Sequence, residues 1–450
     1  MKKIRIGSGA GYAGDRIEPA VELMEKGNLD YIIFECLAER TIAIGQQDKL
    51  KDPSKGYNQL LEARMTKILK LAREKNIRVI TNMGAANPES AAAVTKKIAQ
   101  KLGVTGLKIA SVTGDDISDK LALYGQYDIL EFDKKLDDMK EQLISANAYL
   151  GCEGIVEALR AGADIVITGR VSDPALTIGP LVYEFGWTPE KNPREMGQAT
   201  LAGHLLECAG QVTGGYYADP GFKEVPDLDR LGFPLVEIDE TGALIVTKVE
   251  GSGGLVDEDT CKEQMIYEIH DPARYLTPDV TADFSRVTFE KIGKDKVKAD
   301  GATSHGMPET LKVSVGYRDC FIGEGEISYG GANALARARL AADVTKKRLA
   351  IVGVEAEEYR YDFIGYNSLY GDGISEKLTP KAPAEIRLRV AARTKDQKNA
   401  ALIGNEVEAL YTNGPAGGAG ATKKVTEVVS ICSIFIPRDA VTIKVNYEEA

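Results

Sequence analysis

Acidic, amide and guanidinium side chains gather where short apolar runs end, and this is the first chemical signal in the sequence. Glu35 stands near Glu39 and Arg40, Asn82 near Asn87, Thr113 near Asp115 and Asp116, and Gly169 beside Arg170 and Asp173. In an open sheet of parallel strands such loops share one edge, and ligands bind in the crevice there. On that expectation Glu35, Asp115 and Asp173 can move protons. Arg16, Arg40 and Arg170, with the amides of Asn82 and Asn87, can hold a carboxylate or a phosphate. The chemistry this allows is removal of an acidic α-proton, protonation of a leaving oxygen and stabilisation of enolate charge. Taken singly, each residue reads more readily as a cap or turn former, so the convergence carries the argument.

Glycines supply the second signal. Gly9-Ala10-Gly11-Tyr12-Ala13-Gly14 is formally G-x-G-x-x-G between a strand and a helix, with Glu35 at the end of the next strand. It suits the phosphate turn of an NAD(P) site with the acidic residue on the ribose. Asp15, however, puts a carboxylate where a pyrophosphate wants positive potential. A turn lining the substrate, or a tight turn that needs positive φ, explains the same letters. Farther on, Gly417 and Gly418 in Asn413–Gly420 offer N–H groups free of side chains that can cradle an anion, unless the stretch is a flexible loop. Glu324 and Glu326, between Gly323 and Gly331, project to one side if extended and form another candidate acid/base pair; the plain alternative is a solvated edge strand.

The histidines His204, His270 and His305 show no metal-ligand spacing, and no metal site is expected. His204 and Glu207 share a helix face with Cys208 next, which reads as a histidine packed in the core with one hydrogen bond. The six cysteines lie far apart with no C-x-x-C pair, and read as reduced thiols.

These groups need a frame to hold them. Lys3 to Ile6, Tyr31 to Phe34, Ile77 to Thr81, Leu107 to Val112 and Ile165 to Thr168 are apolar almost throughout, as strands covered on both faces are. Between them, Arg16 to Glu25 and Gln59 to Glu74 repeat apolar residues at helical spacing. The fold class expected is α/β, with a mostly parallel, Rossmann-like sheet in residues 1–221, followed by a β-rich α+β half over 222–450. In that second half, Leu244 to Val249, Arg286 to Glu290, Leu311 to Val315, Arg360 to Ile364, Glu385 to Ala392, Thr426 to Phe435 and Val441 to Val445 read as strands. Asn333 to Ala350 and Gln397 to Tyr411 read as helices.

Composition bounds the partners. With 450 residues, 44% hydrophobic and 27% charged, the chain is long enough for two large or three smaller globular units. A formal charge of -11 repels phosphate polymers and anionic bilayers, so neither nucleic acid nor a membrane is expected as partner. The opening MKKIRIGSGAG lacks the apolar core of a signal peptide, and a cytoplasmic location is expected. A homo-oligomer is expected because closed dimers are the commonest soluble assemblies.

Longer stretches carry a resemblance. They are Gly7 to Pro19, Leu37 to Thr41, Thr81 to Pro88, Ile167 to Pro174, Gly203 to Cys208, Gly323 to Gly330 and Tyr411 to Gly418. The pattern resembles the acyclic terpene utilisation (AtuA-like) family over essentially the whole chain. The resemblance implies bacterial degradation of acyclic terpenoids and related branched acids through acyl-CoA intermediates. It also implies that a ferredoxin-fold segment fused to some relatives is absent here and is supplied as a separate small protein. The expected activity is a lyase or hydratase acting on a branched carboxylate or acyl-CoA. An NAD(P)-dependent oxidoreductase, and a non-catalytic subunit that docks the small ferredoxin-fold partner, are the alternatives.

Overall fold

The computed structural model describes residues 1–378 and 383–450. Strands β1 (Lys3–Ser8), β2 (Tyr31–Phe34), β3 (Arg78–Thr81), β4 (Lys108–Thr113), β5 (Leu143–Ala148) and β6 (Ile165–Thr168) alternate with helices α1 (Glu18–Lys26), α2 (Glu39–Lys51), α3 (Leu61–Lys75), α4 (Pro88–Leu102) and α5 (Glu153–Arg160). Helices α6 (Ala175–Phe185) and α7 (Pro193–Glu207) follow. Strands β1, β2, β3, β6 and β4 lie side by side in that order, and every neighbouring pair is parallel. The reason is burial. Helices α1, α3 and α4 press Leu23, Met24, Met65, Ile68, Leu69 and Ala91 onto Ile32, Phe34, Val79, Ile109 and Ile167 in one continuous cluster. Parallel strands must be covered in this way because their crossovers lay helices on the sheet. Asn76 and Gly103, both left-handed, end α3 and α4.

Residues 1–221 supply this parallel centre, and strands from later in the chain make the sheet as a whole mixed. The strands β7 (Pro234–Asp239) and β8 (Leu244–Lys248), helix α8 (Glu258–Ile266), and then β9 (Tyr275–Leu276), β10 (Thr281–Asp283), β11 (Thr288–Gly293), β12 (Lys296–Asp300) and β13 (Thr303–Ser304) come next. β7 pairs antiparallel with β1, β8 with β7, β12 with β8 and β11 with β12. Short turns join β7 to β8 and β11 to β12, and a short turn can only reverse the chain. The other margin is closed by β18 (Lys444–Glu449), antiparallel to β4. Strands β9, β10 and β13 form a small separate sheet.

The rest of the chain is β14 (Thr310–Gly330), α9 (Ala334–Ile351), β15 (Glu358–Ile364), α10 (Asp372–Leu378), β16 (Glu385–Thr394), α11 (Gln397–Glu408), α12 (Leu410–Asn413) and β17 (Ala419–Pro437). By contact density the chain divides into Met1–Gly316 with Ile431–Ala450, and Tyr317–Ser430. The change of texture near residue 221 does not coincide with that division, because β7 and β8 continue the first sheet.

In the second unit the strand order is β15-β16-β14-β17, with α9 and α11 on the connections. This is the split βαβ order of ferredoxin-like folds. A unit of that topology therefore lies within the chain. Its core is Ile327, Ala338, Ala341, Ile386, Leu388, Val390, Ile403 and Val407. Helix α11 sits so close to β14 that a Cβ on Gly323 would lie 2.0 Å from the Ala400 carbonyl oxygen. Among the described residues no helix is long and apolar enough to cross a membrane.

The close approach of α11 to β14 predicts that Gly323→Ala is destabilising by about 1–3 kcal/mol through overpacking. Gly373→Ala, where a Cβ meets nothing within 4 Å, is expected to change stability by no more than about 0.5 kcal/mol. Guanidinium titrations of the two variants check this, and equal midpoints would contradict it.

Candidate active site

The carboxyl ends of the parallel strands open into a cavity of about 1310 Å³. Each wall is built by a local rule. After β1 the chain makes a glycine turn in which Gly9 N–H donates to Ile33 O at 2.7 Å and Gly11 N–H donates to an Asp15 carboxylate oxygen at 2.9 Å. Arg64, fully buried on α3, holds the turn through the carbonyls of Asp15 (3.0 Å) and Ala13 (3.3 Å). A Cβ on Gly9 would lie 2.4 Å from the Phe34 ring, and one on Gly11 would lie 2.4 Å from the Cys208 carbonyl carbon. Gly14 faces the Tyr12 ring, and neither Gly9, Gly11 nor Gly14 has positive φ. Close approach, not backbone handedness, requires the first two glycines.

This geometry leaves the phosphate-turn reading without free N–H groups at Gly9 and Gly11. The N–H groups of Gly9 and Gly11 are already bonded, and α1 starts only at Glu18, itself an acid in the first turn. The turn instead contributes Gly11, Tyr12, Ala13, Asp15 and Arg16 to the cavity wall.

The loop after β2 brings in Glu35, which is 8% exposed. One of its oxygens accepts from Leu37 N–H (2.8 Å) and from the Asn82 amide (3.0 Å). Asn82 also accepts from Cys36 N–H at 2.7 Å, so it fixes Glu35 and is spent in doing so. Burial pushes the Glu35 carboxyl up to about 7, against the pull of Leu37 N–H, Asn82 and Arg170. Glu39 opens α2, where helix N–H groups favour an acid. Burial pushes its carboxyl up, but Arg170, the Tyr149 hydroxyl and Lys312 outweigh that and hold it at about 2.

Arg170 follows β6 and is 1% exposed. It donates to the Leu37 carbonyl and to Asp173 Oδ1 (2.9 Å), and its guanidinium lies 4.1 Å from the centre of the Tyr149 ring. Its Nε–H has no acceptor among the described residues. Burial, together with Glu35, Glu207 and Glu39, raises Asp173 well above the ordinary carboxyl range in spite of Arg170. From α7 come His204 and Glu207, buried at the helix end, with His204 Nδ1 2.8 Å from Glu207 Oε1. Tyr12, Tyr216, Leu228 and Leu276 leave apolar surface exposed on other parts of the same lining.

Of the residues named from sequence, Glu35, Asp173, Arg16, Arg40, Arg170 and Gly11 line this cavity; Arg16 and Arg40 are exposed, and Arg16 donates weakly to Asp229 O at 3.4 Å. Asp115 does not line it. It accepts from Arg170 N–H and the Asn147 amide, both at 2.9 Å, and burial raises it to about 6. Asn87 caps α4 and donates to the carbonyls of Pro53 and Lys55, both at 2.8 Å, and is likewise outside the lining. Glu324 and Glu326 belong to the second unit, where they pair with Arg389 and Arg387 on β16, in an interior strand and not at an edge. In that unit Gly417 sits against Arg337, which donates to Ala416 O at 2.8 Å, and Gly418 packs on Ile327 and Tyr329. Sequence reasoning passed over Glu207, Tyr149, Tyr275 and Lys312 as site residues. Only the His204 and Glu207 spacing signalled one of them.

Among the described residues no group of three or more His, Cys, Asp or Glu is arranged to hold a metal ion. The floor sets carboxylates against a guanidinium and an imidazole, a composition suited to moving protons beside a held anion. The family model described as acyclic terpene utilisation family protein AtuA matches residues 4–447. This chain belongs to that family. No curated protein matches the sequence.

Glu35 holds its proton more tightly when folded, at about 7, than at its ordinary value of 4.5. The folded state therefore loses stability as pH rises through that window. Glu35→Gln keeps the acceptor oxygen and removes the titration. It is expected to be more stable than the wild type at pH 8 by about 1–3 kcal/mol, with the gain vanishing near pH 4. Urea unfolding at the two pH values decides, and a pH-independent difference would contradict the assignment.

Proposed function

We propose that this protein is a cytoplasmic enzyme of acyclic terpenoid or branched-chain acid catabolism. It is a lyase or hydratase acting next to a carboxyl or thioester by acid/base chemistry. One observation carries the reading: Glu35, poised near neutrality by burial, shares a cavity with the buried guanidinium of Arg170. Such a pair supplies what α-proton removal needs, a base active at physiological pH and a fixed cation for the enolate oxygen. Asp173 and Tyr149 hold that cation in place.

The remaining lining supports the substrate class. Tyr12, Tyr216, Leu228 and Leu276 provide apolar surface for a branched hydrocarbon chain, and Arg16 and Arg40 provide exposed cations for a distal carboxylate or the phosphates of a CoA thioester. Protonation of the leaving oxygen falls to a second acid of the floor.

Purified protein assayed against branched 3-hydroxyacyl and enoyl thioesters and the free acids is expected to turn over at least one of them. kcat/KM should fall as pH drops below about 7, because the Glu35 base must be ionised. Glu35→Gln and Arg170→Lys should each lower kcat by about 10²–10⁴-fold. Unchanged turnover in both variants, or none with any compound of the panel, would remove the proposal.

A further inference from the structure

We infer that Glu207 is the second proton-transfer residue of this cavity, the acid that protonates the leaving oxygen, and that His204 is the positioning residue that holds its proton. The inference rests on the acid/base reading above and identifies a group that reading left unnamed.

Both residues come from the last turn of α7, which is buried from Met196 to Glu207. A carboxylate at a helix C-terminus faces unsatisfied carbonyls and is disfavoured there. Glu207 is nonetheless 6% exposed and lines the cavity, and its Oε2 has no hydrogen-bond partner among the described residues. A buried acid left half-bonded at the wrong end of a helix weakens the fold unless a neighbour compensates it.

The histidine shows where that proton is. His204 Nε2 lies 3.1 Å from the Met265 carbonyl oxygen, which can only accept, so Nε2 carries a hydrogen. In a neutral ring the lone pair is then on Nδ1. Nδ1 stands 2.8 Å from Glu207 Oε1, though off the in-line axis of a hydrogen bond. Two electron-rich atoms with no proton between them repel each other at that distance, whatever the angle. One proton must therefore sit between the two residues, as imidazolium with carboxylate or as imidazole with carboxylic acid.

Glu35 and Asp173 act on Glu207 as like charges, and Tyr275 and Cys208 also feel its charge. On the other sides His204 meets the rings of Tyr275 and Phe284 at 5.3 and 6.1 Å, and its own carbonyl accepts from the Gln264 amide at 2.9 Å. Asp173 is less suited to the role because its Oδ1 is engaged by Arg170.

The Glu35 carboxylate takes the Cα proton, and that C–H electron pair becomes the new carbon–carbon double bond. The Cβ–O bond breaks with its pair on oxygen, and the proton shared by Glu207 and His204 passes to that oxygen, releasing water. Glu35 then returns its proton to solvent and the pair regains one.

Two measurements test this. The first does not depend on turnover. With only His204, His270 and His305 in the chain, ¹⁵N-histidine NMR resolves each ring. In the wild type, His204 is expected to titrate above the ordinary histidine range, and Glu207→Gln should lower that midpoint by at least tenfold in proton affinity. A proton-loss midpoint at the His204 ring nitrogens that lies at or below the ordinary histidine range, or that Glu207→Gln does not move, overturns the inference. If that variant does not fold, the position of the wild-type midpoint alone decides.

The second uses the reaction. Glu207→Gln should lower kcat by about 10²-fold on 3-hydroxyacyl thioesters. On 3-acetoxy analogues, whose leaving carboxylate needs no proton, the loss should be at least tenfold smaller. Equal losses on both substrates overturn the donor role. His204→Gln should shift the acid limb of the pH profile, which loss of packing alone would not do. If the wild type turns over no thioester, the reaction class fails, while the NMR result still decides whether the pair shares a proton.

Discussion

A guanidinium cannot shed its proton, so burying one obliges the surrounding structure to bring negative charge and acceptors to it. Arg170, at 1% exposure, imposes that condition on the whole strand-end region. The Leu37 carbonyl, the Asp173 carboxylate and the Tyr149 face answer it directly, and Glu39 and Glu35 answer it through the field. Asp115 serves the same end from behind by binding the Arg170 backbone N–H. The acids gathered around this cation then exceed what it can neutralise. Glu39 stays ionised, while Glu35 and Asp173 are pushed towards holding protons. The division of labour among chemically similar side chains follows from where each sits relative to one fixed positive charge.

The parallel centre of the sheet is what makes this gathering possible. Strands β2, β3, β4 and β6 come from segments far apart in sequence, yet Glu35 and Asn82 meet at 3.0 Å, and Arg170 N–H and Asp115 meet at 2.9 Å. Had any of these strands run the other way, its terminal residues would stand at the opposite edge. The antiparallel additions β7, β8 and β18 widen the sheet without changing which edge those four loops occupy.

Much of the frame was legible in the letters. Tyr31–Phe34 and Ile165–Thr168 form strands on the bounds expected, because continuous apolar runs of that length between polar loops have few other uses. Neighbour order was not legible: β6 lies between β3 and β4, and no local pattern encodes which buried strand pairs with which. The 21-residue strand β14 was seen only as Leu311 to Val315 plus a glycine stretch, since Gly323 and Gly325 look like turn residues until α11 is found against them. In the site, Glu35, Asp173 and Arg170 could be named from their place after strands. Asp115, Asn82 and Asn87 were named by the same logic but hold backbone or neighbouring side chains. A strand-end rule locates a rim without saying which of its residues face outward. Tyr149 and Lys312 follow or begin strands outside the parallel centre, so the rule was blind to them.

The contact between Gly11 and the Cys208 carbonyl has one more consequence. The turn after β1, whose Ala10 carbonyl accepts from Glu35 N–H at 3.1 Å, and the helix that delivers Glu207 touch backbone to backbone, with no rotatable group between them. Hard-sphere contact of this kind barely compresses. The span separating the two flanks of the cleft is thus gauged by main-chain atoms rather than by adaptable side chains, and a bulkier molecule must be turned away rather than accommodated by a yielding wall.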